Sequence, residues 1–188
     1  MLNLLRWMAM VERLHEPDGL PYRLCVGAAV FRHDGRVWVG ERVAVADAEE
    51  GFGTWWQMPQ GGLDAEEDPC EAARRELWEE TSIRSVSLLG EVPEWLAYDL
   101  PAELRAKAWG GRYRGQKQKW FAFRFDGEEA EIDVCRPGDG HHKPEFGRWR
   151  WEEVERLPEI VVEFKREVYR ALVPHLRRFA EQVRRGPS

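Results

Sequence analysis

A chain of 188 residues and 22.0 kDa has room for one globular domain with short extensions and not for two full domains. With 43% hydrophobic and 33% charged residues it can build a packed core, and it reads as neither a disordered nor a membrane-spanning chain. A net charge of -6 excludes a protein held to nucleic acid by bulk positive charge alone, without saying where the charges sit.

The first twenty residues begin with MLNLLRWMAM, which Arg6 interrupts and which Glu12 and Glu16 soon follow. With no small-residue cleavage pattern, they read as a short amphipathic extension. From Arg23, RLCVGAAVF is strand-like, Asp34-Gly35 is a turn signal, and RVWVGERV resumes the strand, which predicts a β-hairpin. Ala44 to Thr54 has no apolar period and reads as a loop. Asp68-Pro69-Cys70-Glu71 has the order of an N-cap, a first-turn proline and a capping-box acid, so a helix should run from there to about Thr81. Strands are expected at Val86 to Val92, Trp95 to Asp99 and Lys119 to Phe125. In the tail, Val161, Lys165, Val168 and Leu172 share a helical face, with Pro174 kinking or ending that helix. The fold class is mixed α/β. Residues 1–20 form an extension, 21–173 the domain and 174–188 the helical end and tail. Cys25, Cys70 and Cys135 lie far apart without a C-x-x-C, so neither a disulfide framework nor a zinc site is expected, and a reducing cytoplasm fits.

Glu76, Glu79 and Glu80 stand at i, i+3 and i+4 of the expected helix, which gathers three carboxylates on one face. Like charges at this spacing disfavour a bare helix by a few tenths of a kcal/mol per pair. A hard divalent ion would reverse that sign, and carboxylates without nearby His or Cys suit Mg²⁺ or Mn²⁺ better than zinc. Taken alone, the triplet reads first as a solvated acidic face. Arg105, Lys107, Arg112, Arg114, Lys117 and Lys119 fall within a fifteen-residue stretch free of acidic residues, which reads as a phosphate-attracting segment or as a solvated basic loop. His141 and His142 lack partners at ligand spacing and take no role.

Counted from Gly61, the chain runs through Glu67, then Arg75-Glu76-Leu77-Trp78-Glu79-Glu80-Thr81-Ser82-Ile83. This resembles the Nudix box, G-x5-E-x7-R-E-U-x-E-E-x-G-U with U aliphatic, at every fixed position but the last Gly, which here is Ser82. A Gly at a helix C-terminus supplies a left-handed cap without steric cost, and Ser supplies it at some strain. The runs WQMPQGG, WLAYDLP, GQKQKWF, PEFGRWRW and VVEFKREVYR extend the resemblance to the bacterial RNA pyrophosphohydrolases and dinucleoside polyphosphate hydrolases of that superfamily.

The resemblance implies a Nudix fold, a mixed sheet sandwiched between helices, and a role for each matching residue. Glu76, Glu79 and Glu80, with a backbone carbonyl near Gly61, would bind Mg²⁺ or Mn²⁺. Glu67 and Arg75 would support those carboxylates. Either Glu80 or Glu131, the latter in the EEAEID run, would accept the proton of an attacking water. Arg23, Arg42, Gln116, Gln118 and Lys119 would meet phosphates, Phe146 would stack on a base, and Tyr98 would join its pocket or simply pack. The implied reaction is hydrolysis of a phosphoanhydride in 5′-triphosphorylated RNA or a dinucleoside polyphosphate, by a cytoplasmic monomer without a membrane partner. Hydrolysis of ADP-ribose or another nucleoside diphosphate derivative is the alternative, and a non-catalytic nucleotide-binding module is disfavoured because every box carboxylate is present.

Overall fold

The computed structural model describes residues 19–42 and 55–186, so the N-terminal extension through residue 18 and the Ala44 to Thr54 loop lie outside the described residues. The expected hairpin is present: β1 (Tyr22–Phe31) and β2 (Val37–Arg42) are antiparallel, and Gly35 turns the chain at φ 81. Two short strands follow, β3 (Trp56–Gln57) against β2 and β4 (Gln60–Gly62) against β1. Helix α1 (Pro69–Thr81) starts where Asp68 accepts the amide hydrogens of Cys70 and Glu71, at 2.9 and 3.2 Å. It ends at Ser82, whose φ of 66 is the left-handed cap expected there.

Strands β5 (Val86–Glu91) and β6 (Leu96–Asp99) both pair antiparallel with β7 (Gly115–Phe125), and β8 (Phe146–Glu152) pairs with β2. β7 begins four residues before the expected Lys119. Its polar start, Gly115-Gln116-Lys117-Gln118, has no apolar alternation, yet its backbone pairs in parallel with Tyr22 to Cys25 and so completes a ladder along the whole of β1. Ladder bonding extends this strand through polar residues, and Gln116 and Gln118 are buried along it. Short helical turns connect the sheet at α2 (Ala102–Arg105) and α3 (Leu157–Ile160).

Successive residues of β1 and β7 serve opposite cores, as the strand period of two requires. Val26, Ala28, Val30 and Phe123 pack with Ala72, Ala73 and Leu77 of α1. Ala29, Phe31 and Trp120 pack with Tyr169, Leu172 and Leu176 of the last helix, α4 (Arg166–Arg185), on the other side. Gly27 leaves room for the indole of Trp120, which a Cβ would strike.

Pro174, expected to kink or end α4, sits inside it, and the helix continues to Arg185. Pro174 is exposed, but inside a helix its missing amide hydrogen and ring clash cost about 3 kcal/mol, and burying Leu172, Leu176, Ala180 and Val183 along the opposite side offsets that. Val161 and Lys165 precede this helix and do not belong to its face.

Cysteine reactivity follows from the same packing. Cys25 is fully buried, and burial pushes its thiol up to about 12, whereas Cys135 is exposed. Brief iodoacetamide treatment followed by peptide mass mapping is expected to show Cys135 modified and Cys25 untouched until the protein is unfolded.

Candidate active site

β4 lies under α1 with Gly61 against the Glu76 carboxylate, where a Cβ would collide with both its oxygens. Arg75 organises the surroundings. Its Nε and Nη2 donate to the two oxygens of Glu67 at 2.8 and 2.9 Å, and Nη2 also reaches the Gly62 carbonyl at 3.0 Å. Its Nη1 donates to Glu76 at 2.8 Å and to Glu79 at 3.2 Å, so one guanidinium holds three of the box carboxylates in a bidentate and bridging arrangement. Hydrogen bonds to Arg75 lower the Glu67 carboxyl below its usual range.

Glu80 is different. It is 4% exposed, and Oε2 accepts the amide hydrogen of Gln60 at 3.2 Å. Burial, then the like charges of Glu145 and Glu76, push its carboxyl well above the usual range, with Arg42 opposing. Burial also raises Glu76, against the pull of Arg75. Among the described residues no three acidic or imidazole side chains close into a cage as they stand, and Arg75 lies between Glu76 and Glu79. The donor set nonetheless suits a hard cation: all oxygen, no sulfur or imidazole, and a buried carboxylate crowded by two others with too little positive charge beside it.

Several expected positions are brought together and others are not. Arg42 forms an ion pair with Glu145, beside Glu80. Glu131 is turned away: its Oε1 accepts the backbone amide hydrogens of Arg84 and Ser85 at 2.6 and 2.8 Å, so it ties the chain after α1 to the loop before β8. Glu145 instead is the loop carboxylate whose charge acts on both Glu76 and Glu80. The signal for it was its place in the PEF run.

Phe146, expected to stack on a base, is 1% exposed, and its ring meets Trp38 edge-on at 5.2 Å over Gly40, so its side chain packs in the core. Phe146→Ala is therefore expected to cost about 3–5 kcal/mol in urea unfolding. Phe146→Leu should leave the substrate KM of the folded enzyme unchanged, a result a base-stacking role would not allow.

In the basic stretch four of the six side chains are held by the fold, two of them, Arg114 and Lys119, by a carboxylate. Lys119 is 8% exposed, with Nζ bonded to Glu91, Val92 O and Pro93 O at 3.1, 2.8 and 3.1 Å. Arg114 pairs with Asp99 at 2.6 Å, Arg112 donates to Trp109 O at 3.0 Å, and Arg105 to Leu100 O at 3.2 Å.

On the α4 side of the sheet, Gln118 donates to Gln116 and Gln60 at 2.9 and 3.1 Å, and Trp120 Nε1 donates to Gln118 at 3.1 Å. Tyr98 is 7% exposed, with its ring against Phe164 at 5.5 Å. Lys165, missed by the sequence reading because it fitted a helix face, is 1% exposed; its Nζ donates to Gln57 at 3.1 Å and lies 5.7 Å from the Tyr98 ring centroid. The charges of Arg23, Lys165 and Glu76 all act on the buried Cys25 thiol.

A carboxylate-bearing helix clasped to a double-glycine strand, on a mixed sheet with helices on both sides, defines a hydrolase class built around the Nudix box. The chain belongs to the Nudix family: the NUDIX domain model matches residues 21–172. A protein named RNA pyrophosphohydrolase from Azorhizobium caulinodans is 54% identical over 163 residues, covering 87% of this chain and 96% of that one. Another so named, from Rhizobium meliloti, is 53% identical over 157 residues, covering 83% and 93%. Among solved structures, the E. coli dihydroneopterin triphosphate pyrophosphohydrolase superposes with TM-score 0.59 at 18% identity, covering 82% of this chain and 98% of that one. A C. elegans Ap4A hydrolase complex does so with TM-score 0.57 at 18% identity, covering 86% and 97%. These two likenesses concern the fold. No described helix is long and apolar enough to cross a membrane.

Proposed function

We propose that the chain is a Mg²⁺-dependent pyrophosphohydrolase that removes pyrophosphate from 5′-triphosphorylated RNA and leaves a 5′-monophosphate, with Mn²⁺ as an alternative ion. The observation that carries this reading is Glu80, a buried carboxylate that accepts the Gln60 amide hydrogen and is crowded by the charges of Glu76 and Glu145, on the helix whose Glu76 and Glu79 Arg75 holds. Relatives of more than half identity carry the matching name. A divalent ion bound at Glu76, Glu79 and Glu80 would supply charge neutralisation and make a water more acidic. Arg75 holds Glu76 and Glu79 on the α1 face, and Gly61 lets the main chain approach them. Arg23, whose guanidinium donates to the weak acceptor Cys25 Sγ, binds the phosphate chain by charge, the positioning that phosphoryl transfer depends on. Glu145 pairs with Arg42 and its charge acts on both Glu76 and Glu80, so we assign it, ahead of Glu131, the proton of the attacking water.

Offering triphosphorylated RNA and diadenosine tetraphosphate side by side with Mg²⁺ tests the reading. The expected result is a higher kcat/KM for the RNA, with ¹⁸O from water appearing in the phosphate that marks the attacked phosphorus. Absence of turnover on both would overturn it.

A further inference from the structure

The box position at which the pattern has Gly holds Ser82 here, in a left-handed conformation, φ 66, that Gly takes without steric cost and Ser does not. What Ser brings instead is a hydroxyl, and it reaches the segment before β8. Its Oγ donates to the Asp133 carbonyl at 3.3 Å and accepts the Gly138 amide hydrogen at 3.1 Å. One side chain thus joins both ends of residues 133–138 to the end of α1.

Other contacts dock the same segment. The Asp133 amide donates to the Thr81 carbonyl at 3.0 Å, and Asp133 Oδ1 accepts the amide hydrogens of Cys135 and Arg136 at 2.9 and 2.8 Å. Asp139, left-handed at φ 58 between Gly138 and Gly140, pairs with Arg84 at 2.8 Å, and the His142 ring meets Trp78 of α1 edge-on at 5.5 Å. The Arg84–Asp139 pair is exposed and contributes little, so the Ser82 hydroxyl is the polar side chain that fixes the Gly138 end. Glu145 follows, between this docked segment and the buried Phe146 that begins β8. Its charge acts on Glu76 and Glu80, and Ser82 directly follows the turn of α1 that carries Glu79 and Glu80.

We propose that Ser82 is a positioning residue: its hydroxyl latches residues 133–145 to the carboxylate-bearing end of α1 and so holds Glu145 where its charge meets Glu76 and Glu80. The latch rests on the role given to Glu145 above. It explains why a residue with a side chain occupies a left-handed cap that Gly would take freely.

The test compares Ser82→Gly, Ser82→Ala and Ser82→Asn with triphosphorylated RNA and Mg²⁺. Ser82→Gly and Ser82→Ala are each expected to lower kcat by about 10-fold with KM changed less than about 2-fold, because a displaced group loses rate rather than ground-state binding. Ser82→Asn should keep most of the rate, since Asn tolerates the left-handed conformation and its carboxamide both donates and accepts. Backbone strain alone would leave Ser82→Gly fully active and slow only Ser82→Ala, and that ranking would overturn the latch. In a Glu145→Gln background, Ser82→Gly should add little; an undiminished further loss would show that Ser82 acts elsewhere and overturn it. Hydrogen exchange of the full chain without substrate reads the latch apart from turnover. Both Ser82→Gly and Ser82→Ala should speed exchange at the Gly138 amide by about 10-fold and leave α1 unchanged, and unaltered exchange would overturn the latch. Wild-type kcat in Glu145→Gln would remove the role of Glu145 and the positioning role with it, whereas a slow Glu145→Gln beside a fully active Ser82→Gly would remove the latch alone.

Discussion

Glu80→Gln is expected to lower kcat/KM for triphosphorylated RNA by about 10³-fold or more while leaving thermal stability in EDTA equal or higher. Loss of a group that binds charge only as the reaction proceeds falls on kcat, and metal-linked carboxylates supply several kcal/mol of such stabilisation. The stability half of the expectation comes from burial. Glu80 sits 4% exposed among like charges, so its ionised form is costly in the folded protein, and a neutral amide of the same shape can still accept the Gln60 amide hydrogen. Differential scanning fluorimetry beside a pyrophosphate-release assay reads both. Near-wild-type activity would refute the catalytic role of Glu80, and a large fall in Tm would instead make it a structural residue.

Arg75→Ala should act in the opposite way, on stability first. One guanidinium holds Glu67, Glu76, Glu79 and the Gly62 carbonyl, and without it three carboxylates face one another. Breaking a fully buried pair costs ~3–5 kcal/mol, and the partial exposure of Arg75 scales this to about 2 kcal/mol. The loss should shrink when Mg²⁺ is added, because an ion that binds only the folded state stabilises it by mass action and takes over the charge that Arg75 supplied. Urea unfolding with EDTA and with Mg²⁺ gives the comparison. A deficit that Mg²⁺ leaves unchanged would mean that the ion and Arg75 do not share carboxylates.

These expectations rest on residues of unequal legibility. The capped helix from Asp68 to Ser82 and its carboxylate face could be read directly, because a helix brings i, i+3 and i+4 together without help from distant chain. Ser82 shows how local rules carry even the exception: it takes the left-handed cap, and its hydroxyl reaches the Asp133 carbonyl at 3.3 Å and accepts the Gly138 amide hydrogen at 3.1 Å. The basic stretch, Phe146 and Glu131 read as site residues from composition or resemblance, and each makes contacts with residues distant in sequence that the sequence does not announce. Asp99 and Glu91 took up Arg114 and Lys119, Trp38 covered Phe146, and the amides of Arg84 and Ser85 claimed Glu131.

The acidic total and one-domain size, the hairpin at Asp34-Gly35, the helix N-cap and the Nudix spacing were determined by the sequence alone, because each depends on neighbours within a turn or two. Which loop carboxylate faces Glu80, that Lys165 is a buried cation, and that Arg23 rests on Trp109 were decided only by the tertiary structure. The parallel pairing of β1 with β7 brings segments ninety or more positions apart into register, and only then do burial and charge select which of many acidic, basic and aromatic side chains share a pocket.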